Sequence, residues 1–392
     1  MSEKIEFTDF CIEAGTFSCK VKSSKRENAD ILTFETNPPV KNITTDAIAL
    51  ALATLCGRTY HSILFDVEVS TECVNSIKKF TGAEVQTKGH CVKSLPESRE
   101  IAMLNFSGGF DSLAAMCLLP EDSTKLVAVD FGGWFEREAV FFERFRPYIL
   151  KTNFRKLKYD RESWTFMGTG ALLFQAATGA RYNIFGTILE ATIGQFWERP
   201  PAAYNVKTLP FSELGLKDVR LVNGLTEVGT AIIVTHFMPE IIADSLQSLA
   251  APKSEKKYRK RILTEIVCKR FNRDIDLGEC EIPDKKNIVS FGTNFALDFL
   301  SLYELKHVGR DIVSNTVSNI PDEALKLVEQ LSLEFYEKLN TNFVDTIPQS
   351  MRALYFSRLA EAGIQPNSEE DWKEFKTIKR FLSQFYPALV EL

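Results

Sequence analysis

The pattern of hydrophobic and polar positions changes near residue 100 of the chain. Before that point, Ile5 to Val21 and Ile31 to Glu35 alternate between apolar and polar residues, which predicts strands. Thr44-Thr45-Asp46 precedes an apolar stretch that reaches Cys56 and is followed by Gly57, which predicts a helix capped by one of these three residues. The other elements predicted in this part are a strand over 62–69 and a helix over 71–80.

From Ile101 onward, short apolar strands alternate with helices, a pattern typical of a parallel α/β sheet with helices on both faces. The elements predicted there are strands over 101–106, 125–131 and 182–188 and helices over 111–119, 136–145 and 171–179. After about residue 240 the strand signals fade, and the helices predicted there cover 254–271, 295–307, 322–339, 349–362 and 370–385.

These changes of pattern predict three domains. A small α+β domain is expected over 1–96, an α/β domain over 97–250 and a helical C-terminal region over 251–392. The polar segment 88–100 is the predicted linker between the first two, because it contains Gly89, Pro96 and Ser98.

Composition and charge exclude several classes of protein. Hydrophobic residues make up 45% of the 392 residues and charged residues 25%, which is globular rather than disordered composition. The net charge of −5 argues against a protein that coats nucleic acid non-specifically. The apolar run 47–56 is half the roughly 20 residues that span a bilayer, and the first residues lack a signal-peptide pattern. We therefore expect a soluble, cytoplasmic protein without membrane contacts.

Cysteine and histidine spacing gives no sign of a metal site. The eight cysteines include no C-x2-C pair, and the four histidines include no H-x-x-x-H pair. In a reducing cytoplasm, scattered cysteines are usually small buried hydrophobic residues.

The segment Asn105–Ser112 has the composition of a phosphate-binding loop. It reads N-F-S-G-G-F-D-S, follows an apolar strand and opens a helix. Its glycines let the backbone approach a ligand, and the N-terminus of a helix attracts anions. Asp111 beside such a loop indicates a Mg²⁺ ion between the carboxylate and the phosphates. The chain has no G-x-x-x-x-G-K-[ST] motif, and a plain Gly-Gly turn capped by Ser and Asp is the alternative to phosphate binding.

The string from Ser107 to Ser112 resembles the signature loop of the PP-loop ATP pyrophosphatases, which have a HUP-like parallel sheet. Members include tRNA-modifying ligases, asparagine, NAD and GMP synthetases, and 7-cyano-7-deazaguanine synthases. The resemblance implies that ATP is split between its α and β phosphates, with pyrophosphate held in the loop and Mg²⁺ at Asp111. The nucleotide-binding residues expected in this segment are Phe106, Ser107, Gly108, Gly109, Phe110, Asp111 and Ser112, of which Ser107, Asp111 and Ser112 are the catalytic candidates.

Three further segments are similar to the 7-cyano-7-deazaguanine synthases of QueC type. Val129-Asp130-Phe131-Gly132-Gly133, followed by Glu136-Arg137-Glu138, is similar to their D-Y-G-Q…E segment, although an ordinary strand end would look alike. This similarity implies that Val129, Asp130 and Phe131 border the nucleotide base. The stretch 166–174 stands where the family has P-G-R-N, and the next strand ends in Phe185-Gly186-Thr187, which places Gly186 and Thr187 beside the nucleotide. The stretch 221–227 is similar to an L-x-G-L-T-K element.

The chain departs from this family at two places. Thr169 and Gly170 replace the arginine and asparagine of P-G-R-N, and Cys268 and Cys280 are too few and too far apart to replace four zinc cysteines, so no zinc is expected. The region of the zinc site holds instead a basic run from Lys253 to Arg261. Such a run is usually a solvated helix face, and the alternative is a lid that grips triphosphate or an anionic partner.

The resemblance implies an ATP-dependent ligase with ATP and Mg²⁺ as cofactors. It would adenylate a small carboxylate, 7-carboxy-7-deazaguanine or similar, and pass the acyl group to ammonia or another amine. A protein or nucleic-acid acceptor, an oligomer and a role in bacterial antiphage defence stay open. The alternatives are another PP-loop reaction such as tRNA base modification, which predicts a basic surface around 253–261, or asparagine-type amidation. A non-catalytic nucleotide-binding subunit and a generic α/β protein with a coincidental loop are further alternatives.

Overall fold

The computed structural model of the protein contains a ten-stranded sheet, and the predicted strands belong to it. The structure describes residues 3–93, 98–133, 139–198, 210–248, 253–284, 286 and 288–392. The strands are β1 (Lys4–Glu13), β2 (Thr16–Ser23), β3 (Asp30–Asn37), β4 (Ser62–Glu68), β5 (Glu84–Gly89), β6 (Arg99–Asn105), β7 (Thr124–Asp130), β8 (Tyr148–Thr152), β9 (Ala180–Phe185) and β10 (Lys217–Val219). Their order across the sheet is β10-β9-β6-β7-β8-β3-β2-β1-β4-β5. The pairs β1–β2, β2–β3 and β3–β8 are antiparallel, and the other neighbouring pairs are parallel.

Helices flank the sheet and make up most of the C-terminal part. They are α1 (Thr45–Ala53), α2 (Thr71–Thr81), α3 (Phe110–Cys117), α4 (Ala139–Phe145), α5 (Thr169–Thr178), α6 (Glu227–Phe237), α7 (Ile242–Ser248), α8 (Glu255–Arg270), α9 (Phe295–Val313, kinked at Gly309), α10 (Asp322–Gln330), α11 (Gln349–Ala362) and α12 (Glu369–Leu382). Two short parallel strands, β11 (Val289–Ser290) and β12 (Val317–Ser318), lie among them. A mostly parallel sheet flanked by helices confirms the predicted α/β class. Within the described ranges, no helix combines the length and the apolar character needed to cross a membrane.

The chain forms two compact units, each built from separated stretches. The first comprises residues 1–107, 121–185 and 205–219 and contains all ten strands; the second comprises 108–120, 186–204 and 220–392. This interleaving differs from the three consecutive domains expected from the sequence, whose boundaries at 96/97 and 250/251 lie outside the described residues. Residues 136–138 of the predicted helix 136–145 also lie outside them.

The strands of the first hundred residues belong to the same sheet as the later parallel strands. The junction is the antiparallel pair β3–β8, in which Phe34 faces Thr152 and Glu35 faces Lys151. Without β3, strand β8 would end the sheet with a row of unpaired backbone groups. Pairing these edges extends one sheet across both predicted domains.

The buried face of the sheet is packed with aromatic and aliphatic side chains. The rings of Phe17 and Phe34 stack on neighbouring strands with their centroids 4.2 Å apart. Helix α1 is buried along most of its length, and Thr44 caps it as predicted by accepting a hydrogen bond from the backbone N–H of Ala47 at 3.2 Å. Each β-strand shows its other side chains on the opposite face.

Two predicted elements end earlier than expected. The strand predicted over 5–21 is a hairpin, because Gly15 adopts a φ of 85° and turns the chain between β1 and β2. The helix predicted over 322–339 ends at Gln330. The carboxylate of Glu374 accepts hydrogen bonds from the backbone N–H groups of Ser332 and Leu333 at 2.7 and 2.8 Å, and so holds the following backbone in a non-helical course.

Candidate functional site

The order of the strands reverses at β6. Strands β7 and β8 follow on one side of β6, and β9 and β10 lie on the other. In open α/β sheets, ligands bind outside the carboxyl ends of the strands at such a reversal. The predicted nucleotide-binding residues stand at these strand ends: Phe106 and Ser107 after β6, Val129, Asp130 and Phe131 at and after the end of β7, and Gly186 and Thr187 after β9.

Side-chain amides tie the ends of three strands together. The Nδ2 of Asn105, the last residue of β6, donates to Oδ1 of Asn183 at 2.8 Å and to the carbonyl of Ile184 at 2.9 Å. Asn183 on β9 donates in turn to Asp218 on β10 at 2.9 Å. These bonds fix the relative height of the strand ends from which two of the predicted loops leave.

In the second unit, the glycine loop leads directly into helix α3. Gly108 has a φ of 74°, which favours glycine, and Gly109 is the N-cap residue of α3. The hydroxyl of Ser245 on α7 donates to the carbonyl of Gly108 at 3.0 Å, and the hydroxyl of Ser112 donates to the carbonyl of Gly109 at 2.9 Å. Ser112, expected to bind phosphate, therefore uses its hydroxyl hydrogen to hold the loop in this conformation.

Gly186 packs directly against the first turn of α3. A Cβ atom on Gly186 would lie 2.8 Å from the backbone nitrogen of Ser112 and 2.9 Å from the carbonyl carbon of Asp111. Real Cβ atoms do not approach backbone atoms so closely, so this position requires glycine. The structure thereby brings the predicted Gly186–Thr187 segment to the predicted Asp111–Ser112 turn.

The carboxylate of Asp111 has two partners in its own unit, and both contact the same carboxylate oxygen. Thr230 on α6 donates to Oδ1 at 3.0 Å, and Nζ of Lys260 on α8 lies 3.3 Å from it. Oδ2 has no donor among the described residues, and the side chain is 34% exposed. One accessible carboxylate oxygen fits a Mg²⁺ ion that takes its remaining ligands from phosphates and water. Within the described part of the chain, no group of three or more His, Cys, Asp or Glu side chains is arranged to hold a metal ion.

Two residues of the basic run are buried in ion pairs, which corrects the expectation of a solvated helix face for them. Nζ of Lys260 lies 3.0 Å from Oε1 of Glu227, and a guanidinium nitrogen of Arg259 lies 2.6 Å from Oε2 of the same carboxylate. Arg259 also contacts Glu255 at 2.8 Å. Burial acts to raise the pKa of Glu227, but the two cations outweigh it and hold that pKa well below its ordinary value. Burial likewise acts to lower the pKa of Lys260, and Asp111 and Glu227 reverse the effect.

The spacing in α8 contains a signal for these buried cations that the sequence interpretation missed. Arg259 stands four residues before Leu263 and seven before Ile266, so the three share one face of the helix. Both Leu263 and Ile266 are buried. The charges at positions 259 and 260 therefore belong to the buried face rather than to the solvated one.

Glu190 is a buried acid that the sequence interpretation did not identify. Its Oε1 accepts a hydrogen bond from the backbone N–H of Glu227 at 2.7 Å, and its Oε2 has no partner among the described residues. Burial, together with the negative charge of Glu227, raises the pKa of Glu190 to about 8. Glu190 is therefore a neutral carboxylic acid at pH 7. A single Glu in a short turn has no sequence signal that could have revealed it.

We expect Glu190→Gln to reduce the pH dependence of stability. The folded protein keeps the Glu190 proton up to a pKa of about 8, whereas the unfolded chain releases it near the ordinary value of 4.5. The stability that this proton contributes is complete below the unfolded pKa and is lost as the pH rises towards the folded pKa. Between pH 4.5 and about pH 8, the free energy of unfolding should therefore decrease with pH more steeply in the wild type than in Glu190→Gln. The difference between the two slopes should reach up to about 1.4 kcal/mol per pH unit. Chemical denaturation at several pH values measures both slopes. The exposed Glu369→Gln serves as the control, and equal slopes for wild type and Glu190→Gln would contradict the prediction.

Comparisons with known proteins identify no relative: no protein-family model, no curated protein and no solved structure matches the chain.

Proposed function

We propose that the protein is an ATP-dependent ligase of the PP-loop kind, which adenylates a carboxylate and transfers the acyl group to an amine. One observation carries the proposal: the loop 107–112 leaves the sheet where the strand order reverses and brings the partly exposed carboxylate of Asp111 beside the ammonium of Lys260. Anionic phosphates and a divalent cation are the ligands that suit such a combination.

The N-terminus of α3 and Lys260 supply positive charge for the phosphates. Gly109 caps the helix and has no side chain, so phosphate oxygens can reach the backbone at the first turn. The ammonium of Lys260 is held by Asp111 and Glu227. It also lies 4.9 Å from the ring centre of Phe110, which is in the first turn of α3 together with Asp111. When ATP binds, Lys260 exchanges its bond with Asp111 for one with a phosphate oxygen.

Asp111 would hold Mg²⁺ through Oδ2, and the ion would neutralise the charge that develops on the leaving pyrophosphate. Thr230 keeps the carboxylate of Asp111 in place through its hydrogen bond to Oδ1. The buried Glu227–Arg259 pair fixes α6 and α8, which supply Thr230 and Lys260. These residues position charges, and no residue of the cluster has to act as a base.

The proposed reaction has two steps. A carboxylate oxygen of the substrate attacks the α phosphorus of ATP, and the bond from that phosphorus to the oxygen bridging to the β phosphate breaks, releasing pyrophosphate. An amine then attacks the acyl carbon of the adenylate and loses a proton, and AMP leaves with the bonding electron pair. The resemblance to the 7-cyano-7-deazaguanine synthases makes 7-carboxy-7-deazaguanine the first carboxylate to test.

The tRNA-modifying alternative receives less support from the structure. It predicts a basic surface around 253–261, but Arg259 and Lys260 are buried there and Arg261 is paired with Glu265 at 3.0 Å. Lys253 lies 3.3 Å from Glu281. Much of the positive charge in this run is already balanced by carboxylates.

Analysis of the nucleotide products tests the proposal. The protein is incubated with Mg²⁺ and ATP, with and without 7-carboxy-7-deazaguanine and an ammonium salt, and the products are separated by chromatography. We expect AMP and pyrophosphate in equal amounts, because cleavage occurs between the α and β phosphates.

Each other outcome has a distinct meaning. AMP formation that does not depend on 7-carboxy-7-deazaguanine would retain the PP-loop chemistry and reject this substrate. Formation of ADP would contradict the adenylation step. Tight binding of ATP without turnover would favour the non-catalytic nucleotide-binding subunit.

A further inference from the structure

The first unit contains a cavity of about 390 Å³ on one face of strands β1, β2, β3 and β8. Along β2 and β3, the polar side chains of this face alternate with Phe17 and Phe34, whose rings stack on each other. The cavity is lined by residues of these four strands, Phe17 and Phe34 among them, together with Phe131, Gly132, Asn153 and Lys156. Its lining combines apolar surface with polar groups, and its charged side chains carry both signs.

Four side chains form a straight row across the floor. In the pairing of the strands, Glu13 is opposite Thr16, Thr16 is opposite Glu35, and Glu35 is opposite Lys151. Residues directly opposite each other on neighbouring strands point to the same face of a sheet. The row therefore places two carboxylates on β1 and β3, with a hydroxyl between them, and an ammonium on β8.

A second row runs beside the first and adds hydrogen-bonding groups without net charge. Cys11 is opposite Ser18, and Ser18 is opposite Thr33. Asn153, which follows β8, accepts a hydrogen bond from the backbone N–H of Thr33 at 3.0 Å. This row provides hydroxyl and thiol groups along the path between the charged ends of the first row.

The charged groups of the cavity are not neutralised by one another. Glu35, Lys151 and Lys156 form no ion pair with any described residue. This holds although Glu35 on β3 faces Lys151 on the adjacent strand β8. The contact of the Glu13 carboxylate is with the Sγ of Cys11 at 4.0 Å. The carboxylates at one end of the cavity and the ammonium groups at the other are therefore free to bind a ligand. Such a cavity is complementary to a ligand that carries both a positive and a negative charge.

We propose that this cavity binds a small zwitterion. The ammonium group of the ligand lies over Thr16 between the carboxylates of Glu13 and Glu35, and its carboxylate lies between Lys151 and Lys156. With strands about 4.8 Å apart, the backbone positions of Thr16 and Lys151 are separated by about 10 Å. The long side chains at both ends shorten that distance, so the ligand is an aliphatic amino acid whose amine and carboxylate are several bonds apart.

Isothermal titration calorimetry with 6-aminohexanoate tests this proposal on the full chain, in the absence of ATP. Hexanoate lacks the ammonium group and hexylammonium lacks the carboxylate, so each analogue can engage only one end of the cavity. We expect 6-aminohexanoate to bind at least about tenfold more tightly than either analogue, an affinity ratio that corresponds to about 1.4 kcal/mol. Equal affinity for the three compounds, or no binding of 6-aminohexanoate at millimolar concentration, would overturn the proposal.

Two variants locate the site. Glu35→Gln and Lys151→Met change exposed side chains, so both should fold, and each should weaken 6-aminohexanoate binding about tenfold. Glu6→Gln on β1 and Lys20→Met on β2 remove the same charges outside the cavity and should leave the affinity unchanged. Binding that survives both cavity variants would overturn the assignment. Because the titrations contain no nucleotide, their outcome is independent of the proposed ligase activity.

Discussion

Replacing Glu227 by Gln is expected to lower the free energy of unfolding by about 3–5 kcal/mol. Glu227 is the shared partner of Arg259 and Lys260, and all three side chains are at most 9% exposed. Gln keeps the shape of the side chain but removes its charge, which leaves Arg259 with only Glu255 and Lys260 with only Asp111 as anionic partners. Removing the central anion from a buried cluster of charges is among the costliest changes a folded protein can undergo.

Glu265→Gln is the matched control for this prediction. Glu265 also contacts two cations, Arg261 at 3.0 Å and Lys269 at 3.1 Å, but its side chain is 39% exposed. Exposed pairs of this kind contribute at most about 1 kcal/mol. Chemical denaturation followed by circular dichroism measures both variants, and a loss in Glu227→Gln no greater than in Glu265→Gln would contradict the argument. Adding Lys260→Met to Glu227→Gln should restore part of the lost stability, because it removes one of the two buried cations that have lost their shared anion.

Asp111→Asn is expected to reduce the rate of AMP formation by about 10²- to 10³-fold. Asn keeps an oxygen that can accept the hydrogen bond of Thr230, but it loses the charge that holds Mg²⁺ and attracts Lys260. Because Asp111 is 34% exposed, the free energy of unfolding should change by no more than about 1 kcal/mol. The prediction therefore separates activity from stability.

Asp322→Asn provides the comparison for this variant. Asp322 also lies in the first turn of a helix and also pairs with a cation, Arg310 at 2.9 Å. It lies outside the proposed site, so its variant should form AMP at the wild-type rate. If Asp111→Asn formed AMP within twofold of the wild type, the proposed role of the Asp111 carboxylate would be wrong.

In the α/β part of the fold, the sequence predicted those strands and helices well that are short apolar segments with turn residues at both ends. Strands β6, β7 and β9 and helix α3 all lie at or within a few residues of their predicted positions. Strand β8 was not predicted; it begins three residues after the end of the predicted helix 136–145. Its five residues are too few to show a clear alternation, and pairing with β7 and β3 on its two sides determines their conformation.

The candidate site was predictable in part. Short-range patterns were sufficient for the loop 107–112, because it follows the end of a predicted strand, whereas the contact of Gly186 with the first turn of α3 was not predicted. The cluster of Glu227, Arg259 and Lys260 joins residues more than thirty positions apart in sequence, on helices α6 and α8, and such pairing depends on tertiary packing. The helical spacing of Arg259 and Lys260 indicated burial, but it could not identify their partner.

The junction between β3 and β8 has a consequence for the protein while it is being synthesised. Strand β3 ends at Asn37, and its partner β8 begins at Tyr148, more than a hundred residues later. At about 5–20 residues per second, a ribosome takes roughly 5 to 20 s to produce that interval. During this time the β1–β2–β3 hairpins present an unpaired strand edge to other nascent chains, which is the geometry that starts aggregation. The late arrival of one five-residue strand thus sets the time for which this edge of the growing chain stays unpaired.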